Sequence, residues 1–204
     1  MPLIGTGVLA IWNDVAPEAE AEFNAWYLEQ HLPERLAVPG FRRARRWWSA
    51  TASPRYFAFY EVDGPAILAS AAYRERLENP TPRTRAIMPA FRGMSRTVCR
   101  VAASLGEATG GVAGIARLAP GEAASLAGRL PDLLAAPGIV AAHLWEGDAA
   151  ASRADTVETR LRGGPDALIG GALVVEATRL EELDLVAHAG PVERYALLCA
   201  RMAS

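Results

Sequence analysis

The chain has 204 residues, of which 51% are hydrophobic and 22% charged, and its formal net charge is −2. That composition supplies a sizeable core in one large or two small domains and excludes a disordered, highly charged tail. The near-neutral balance provides no general basic field for nucleic acid, and the 21 basic residues, all arginine, read as coding bias more than as selected chemistry.

In chain order, MPLIGTGVLAIWND has no basic leader, and its apolar run stops at Asn13 and Asp14. No window approaches the ~20 apolar residues that span a bilayer, so a cytoplasmic protein with no membrane partner is expected. Residues 6–13 form the first apolar strand. Pro17 and a glutamate-rich first turn open a helix, Pro33 should kink or restart it for want of an amide hydrogen, and Pro39-Gly40 ends it. FRRARRWWSA and RYFAFYEV are two strands of a hairpin joined at TASP. AILASAAYRERL is a second helix, PTPRTRAIMPAF an irregular or short helical connection, and SRTVCRVAA a closing strand. Strands then recur near 110–118, 139–147, 168–177 and 194–202, with helices over EAASLAGRLPDLLAA and TRLEELDLVAHA. Cys99 and Cys199 sit in short apolar runs and read as reduced core residues. His31, His143 and His188 are too scattered for a metal site, and neither a metal nor another cofactor is expected.

The second half echoes the first. HLPERLAVPGF from His31 and RLPDLLAAPGI from Arg129 share six positions, and the offset holds: 131 minus 33, 138 minus 40 and 145 minus 47 all give 98. The expected organisation is a first ferredoxin-like unit over 1–106 and a second, degenerate one over 107–204. Each is a βαββαβ unit with an antiparallel sheet carrying both helices on one face. The fold class is α+β, with two tandem ferredoxin-like units whose antiparallel sheets can cover each other within one chain. A monomer with an internal pseudo-two-fold is expected, open to further homodimerisation.

Phe23, Trp26, Tyr27, His31, Pro33 and Gly40, in EFNAWYLEQHLPERLAVPGF, resemble the EthD-like branch of the dimeric α/β-barrel superfamily. The resemblance covers the first half well and the second only through the repeat. It implies that the sheets of the two tandem ferredoxin-like units pack into a shared α/β barrel, here within one chain, and a functional histidine at His31. The superfamily spans monooxygenases, cyclases, decarboxylases and haem proteins, so the fold leaves the reaction open.

Comparison of the two copies points to one site, because His31, Tyr27, Trp26 and Arg46 fall opposite Arg129, Ser125, Ala124 and Leu144. Their catalytic reading makes His31 the proton-transfer group, with Tyr27 or Asn24 orienting it or donating a hydrogen bond. Trp12, Trp26, Arg45, Arg46 and Trp47 are the substrate-binding candidates, an arginine beside an indole being suited to a carboxylate or phenolate on an aromatic frame. The plain alternative is an aromatic core stripe with a solvent-facing histidine and a strand of arginines paired to Glu61 or Glu78. Strand alternation places Phe41, Arg43, Arg45 and Trp47 on one face and Arg42, Ala44, Arg46 and Trp48 on the other. Residues 148–166 are either a surface loop or a lid over the barrel mouth, reaching in with Glu158 and Arg160. Together these residues imply a cofactor-independent enzyme moving protons on a small aromatic or polyketide-like carbonyl compound, of cyclase, isomerase, dehydratase or decarboxylase type. A small-molecule-binding or interaction protein, and a haem protein with His31 as axial ligand, are the alternatives.

Overall fold

The computed structural model describes residues 2–189 and 192–203, with side chains of 185–189, and so His188, outside the description. Eight strands, β1 (Gly7–Val15), β2 (Phe41–Trp48), β3 (Tyr56–Val62), β4 (Phe91–Gly106), β5 (Val112–Leu118), β6 (Ile139–Asp148), β7 (Gly171–Ala177) and β8 (Glu193–Met202), form an α+β molecule. They close into one barrel in the order β1-β3-β2-β8-β5-β7-β6-β4, every neighbour antiparallel. Each half therefore has the same internal order: β4-β1-β3-β2 in the first and β8-β5-β7-β6 in the second. The seams are β2 with β8 and β4 with β6, so both sheet edges of each half are paired by the other.

Two features keep the 98-residue spacing. Helix α2 (Leu32–Leu36) answers α6 (Leu130–Leu134), and Gly40 (φ 90°) answers Gly138 (φ 78°). Both glycines turn the chain from helix to strand in a left-handed conformation that disfavours side chains. At Gly40 a Cβ would also lie 2.6 Å from the Ile67 side chain.

As expected at Pro33, a new α-helical segment starts there, with the proline in its first turn, although the chain does not leave the helical conformation. From α1 (Glu20–Trp26) the backbone stays helical through a π-turn at Tyr27–His31 into α2. The wider turn accommodates the hydrogen bond that Pro33 cannot make, and bulges of this kind concentrate at functional sites. Helix α3 (Ala71–Glu78) is capped by Ser70 Oγ, which accepts from Tyr73 N at 3.2 Å, and α4 (Pro82–Ile87) leads through a 3₁₀ turn into β4. In the second half, α5 (Ala123–Leu126) is short and joined to α6 by a 3₁₀ turn, and Leu180–Ala189 is a 3₁₀ helix instead of an α-helix. The insertion carries α7 (Ala149–Ser152) and α8 (Val157–Leu161).

The sheet divides the core into three. The barrel lumen is filled by Trp12, Trp47, Phe57, Phe59, Trp145 and Tyr195. Outside it, the first half packs its helices through Phe23, Trp26, Tyr27, Phe41, Tyr56, Tyr60 and Tyr73, whereas the second does so with aliphatic and alanine side chains such as Leu130, Leu133, Leu144 and Val175. The strand faces match expectation except at Phe41. A bulge between Phe41 and Arg43 turns Phe41 outward onto Tyr60 and Tyr73, while Arg43, Arg45 and Trp47 face the lumen. No helix among the described residues is long and apolar enough to cross a membrane.

Candidate functional site

The first half's aromatic layer is assembled by helical spacing on one side and strand alternation on the other. Phe23, Trp26, Tyr27 and His31 repeat at three- and four-residue steps, so one helix face lays them on the sheet. From the sheet, Tyr56 and Tyr60 of β3 and Arg46 of β2 rise to meet them. The Arg46 guanidinium lies 4.8, 4.3 and 4.9 Å from the ring centres of Phe23, Tyr27 and Tyr56 and donates to Asn24 Oδ1 at 2.7 Å. Asn24 also donates to the Tyr56 hydroxyl, which donates to Glu20 at 2.6 Å. Arg46 is thus caged by rings; among the described residues no carboxylate pairs with it, and burial lowers its pKa.

Beyond Tyr27 lies a cavity of about 30 Å³, bordered by Tyr27, His31, Arg35, Tyr60, Tyr73, Arg96, Glu158 and Arg162 with Met88, Met94 and other apolar side chains. It holds a water or two. His31 is 6% exposed, tilts against Trp26 at 4.3 Å, and its Nδ1 has no hydrogen-bond partner among the described residues. Burial, then the positive charges of Arg35, Arg162 and Arg46, hold its pKa well below the usual histidine value, so the imidazole is neutral at physiological pH. Burial raises both tyrosine hydroxyls, Tyr60 well above the ordinary value, so both keep their protons. Tyr60 donates to Tyr27 at 3.4 Å. In that arrangement the Tyr27 hydrogen remains available to an acceptor.

Charge is unevenly distributed around the cavity. Arg35 pairs with Glu158, both side chains being at least 95% buried. Burial opposes the Arg35 charge, but Glu158 more than offsets this and raises its pKa. Arg162 pairs with Asp166 at 2.7 Å and lies 4.0 Å from Glu158. Arg96, 7% exposed, donates to the Tyr73 hydroxyl at 3.2 Å and, among the described residues, faces no carboxylate within pairing distance. Three guanidinium groups therefore meet one carboxylate inside the cavity.

The expected residues fall on two sides of the sheet. His31 and Tyr27 line the cavity; Trp26 backs His31 and donates to Thr84 Oγ1 at 3.1 Å; Asn24 and Arg46 stand behind Tyr27. Trp12, Arg45 and Trp47 lie in the lumen, separated from His31 by the sheet. Arg45 pairs with Glu61 and Glu176, and Arg43 with Glu61, in a buried network with His143, whose Nε2 lies 3.0 Å from Glu176 and Nδ1 2.9 Å from Ser104 Oγ. The arginines that reach the cavity are Arg35, Arg96 and Arg162, none of which the sequence singled out. Arg35 stands one helical turn beyond His31, and Arg162 one turn beyond Glu158, so helical periodicity was the available signal. That same spacing explains why Arg160 misses the cavity: two residues from Glu158, it points outward to Asp155 and Glu78. The insertion covers this cavity between helix and sheet, away from the barrel mouth.

In this closed form the cavity, about 30 Å³, is too small for a haem, as it is for any organic ligand of the ~300–1,000 Å³ pocket class, and His31 lies between the rings of Trp26 and Tyr27. Among the described residues no cluster of side chains suited to a metal ion occurs.

No family model matches the chain, and no curated protein matches it. Solved structures do. An anthrone oxidase-like protein superposes with a TM-score of 0.66 at 10% identity, covering 97% of this chain and 93% of that one. A candidate monooxygenase from Lactobacillus acidophilus gives a TM-score of 0.53 at 9% identity over 98% and 96% of the two chains. A heme-binding protein from Thermus thermophilus gives 0.52 at 11% identity over 98% and 93%. At these identities the likeness is one of fold, the closed α/β barrel.

Proposed function

We propose that the chain is a small-molecule enzyme of the EthD-like kind, working by proton transfer in the cavity beside His31. The observation that carries this is a neutral, buried His31 lining a cavity that also holds Arg96, a guanidinium that faces no carboxylate among the described residues. In this reading the neutral imidazole accepts a proton from carbon next to a carbonyl. Tyr27 donates a hydrogen bond to the substrate, Asn24 and Arg46 hold Tyr27 in place, and Arg96 stabilises the enolate oxygen. Deprotonation is common to cyclisation, isomerisation and dehydration of aromatic or polyketide-like carbonyl compounds. The neighbour likened to an anthrone oxidase makes an anthrone bearing a carboxylate a sensible first probe, because its methylene hydrogens are acidified by the adjacent aromatic ketone.

The difference between the halves supports the same reading: an aliphatic layer stands in the second where the first has its aromatic one. The test is hydrogen–deuterium exchange at the acidic carbon of an anthrone and of 1,3-diketones that each bear a carboxylate for the arginines around the cavity, followed by NMR. Wild type should accelerate exchange, and His31→Ala should reduce it by about 10²–10⁴-fold, the usual contribution of a general base. Equal exchange by both proteins would sink the proposal.

A further inference from the structure

The insertion between β6 and β7 closes the cavity with a carboxylate, and the way it does so bears on what the cavity binds. We propose that Glu158 is a built-in occupant of an anion subsite, and that the ligand carries a carboxylate which replaces it on Arg35 and displaces α8. The location of the cavity is taken from the proton-transfer reading above; the exchange of carboxylates is new.

Arg35 and Glu158 are 123 residues apart in sequence and meet with side chains 4% and 5% exposed. Burying both charges costs several kcal/mol per ion unless each is paired, so Arg35 cannot lose Glu158 without gaining another anion. A neutral ligand that pushed Glu158 aside would leave the guanidinium buried and alone. A carboxylate ligand restores the same pairing, and Arg96, without a carboxylate of its own, adds a second positive contact.

Space leads to the same conclusion. At about 30 Å³ the cavity excludes any organic ligand, so one wall must move. Strands β1, β3 and β4 and the first helix are fixed by ladders and by the aromatic layer. The insertion is anchored at its two ends: Val98 N donates to Ser152 Oγ at 2.9 Å, and Ala167 exchanges backbone bonds of 3.0 Å with Met94 and Arg96. Between those anchors, α8 is followed by Gly163 (φ 96°) and Gly164 (φ 135°), where an added Cβ would meet nothing within 4 Å. Two adjacent glycines with open surroundings form a natural hinge for the helix carrying Glu158 and Arg162.

Benzoate, with neutral benzamide as its control, tests this in the full chain through calorimetric affinity and amide hydrogen exchange over residues 155–162. In wild type, benzoate should bind weakly and speed exchange over α8, and benzamide should do neither. Glu158→Gln should bind benzoate about tenfold tighter, the gain expected if the closed form holds about nine-tenths of the population, and should exchange fast without ligand. Where the glutamine variant fails to fold, Glu158→Asp, which withdraws the carboxylate by one methylene, should move both readouts the same way. Benzoate affinity unchanged in the variant that folds, or slower exchange over α8 on binding, overturns the proposal. A normal benzoate response with no His31-dependent carbon exchange would overturn the proton-transfer reading and leave this one standing.

Discussion

His31 and His143 are both neutral because burial removes water from them, yet they are held differently. His143 is bonded on both ring nitrogens, to Ser104 and Glu176, while His31 Nδ1 is unpartnered among the described residues. Burial lowers the His143 pKa, with Glu176 opposing, and lowers that of His31 well below 6.5. Since the unfolded chain binds these protons and the folded chain does not, their contribution is complete above the unfolded value near 6.5. It is lost as pH falls below that value, at up to about 1.4 kcal/mol per pH unit for each histidine. Chemical denaturation at pH 7.5 and 5.5 should therefore show a marked loss of stability, and His31→Gln should flatten the profile. A variant profile parallel to wild type would assign the loss to other groups. The density of EFNAWYLEQH marked this neighbourhood, and the helix wheel placed Tyr27 and His31 together. Arg96 was hidden because its partner, Tyr73, lies 23 residues away in another element.

For the elements, local signals worked where local energetics decide. Pro39-Gly40 and Pro137-Gly138 stop their helices as expected, because a left-handed turn needs glycine whatever surrounds it. Gly40→Ala should destabilise by about 1–3 kcal/mol from backbone strain, before any cost of displacing Ile67, and a lower denaturation midpoint would check this. Midpoints within error of wild type would mean that the turn relaxes. Pro33 marked the restart at α2, but not the π-turn before it, whose His31 packs on the ring of Tyr60. Phe41 misled because a bulge resets strand alternation, and only the pairing partner reveals a bulge. The insertion shows both behaviours: its polar, glycine-rich sequence marked a connection, while the burial of Glu158 depends on Arg35.

At the scale of the whole molecule, each half supplies strands to close the other. A fragment of residues 1–106 would leave the outer edges of β2 and β4 unpaired and open Trp12, Trp47 and Phe57 to water. It should consequently self-associate or fail to fold, and the intact chain should unfold in one cooperative transition. Light scattering of the fragment and calorimetry of the full chain check these outcomes; a stable monomeric fragment would show that the seams are dispensable. Hydrophobic periodicity, the 98-residue spacing and the turn residues sufficed for the α+β class, because these are patterns local to each segment, while the barrel was legible only through the resemblance of EFNAWYLEQHLPERLAVPGF to the dimeric α/β-barrel superfamily. They also confined the unusual side chains to the first half. The tertiary structure alone decided which face of β2 lines the lumen, parting Arg45 and Trp47 from His31, and which arginines surround the cavity. Those outcomes rest on contacts between distant segments, such as Glu158 with Arg35 and Arg45 with Glu176, whose energies exist only once the barrel has closed.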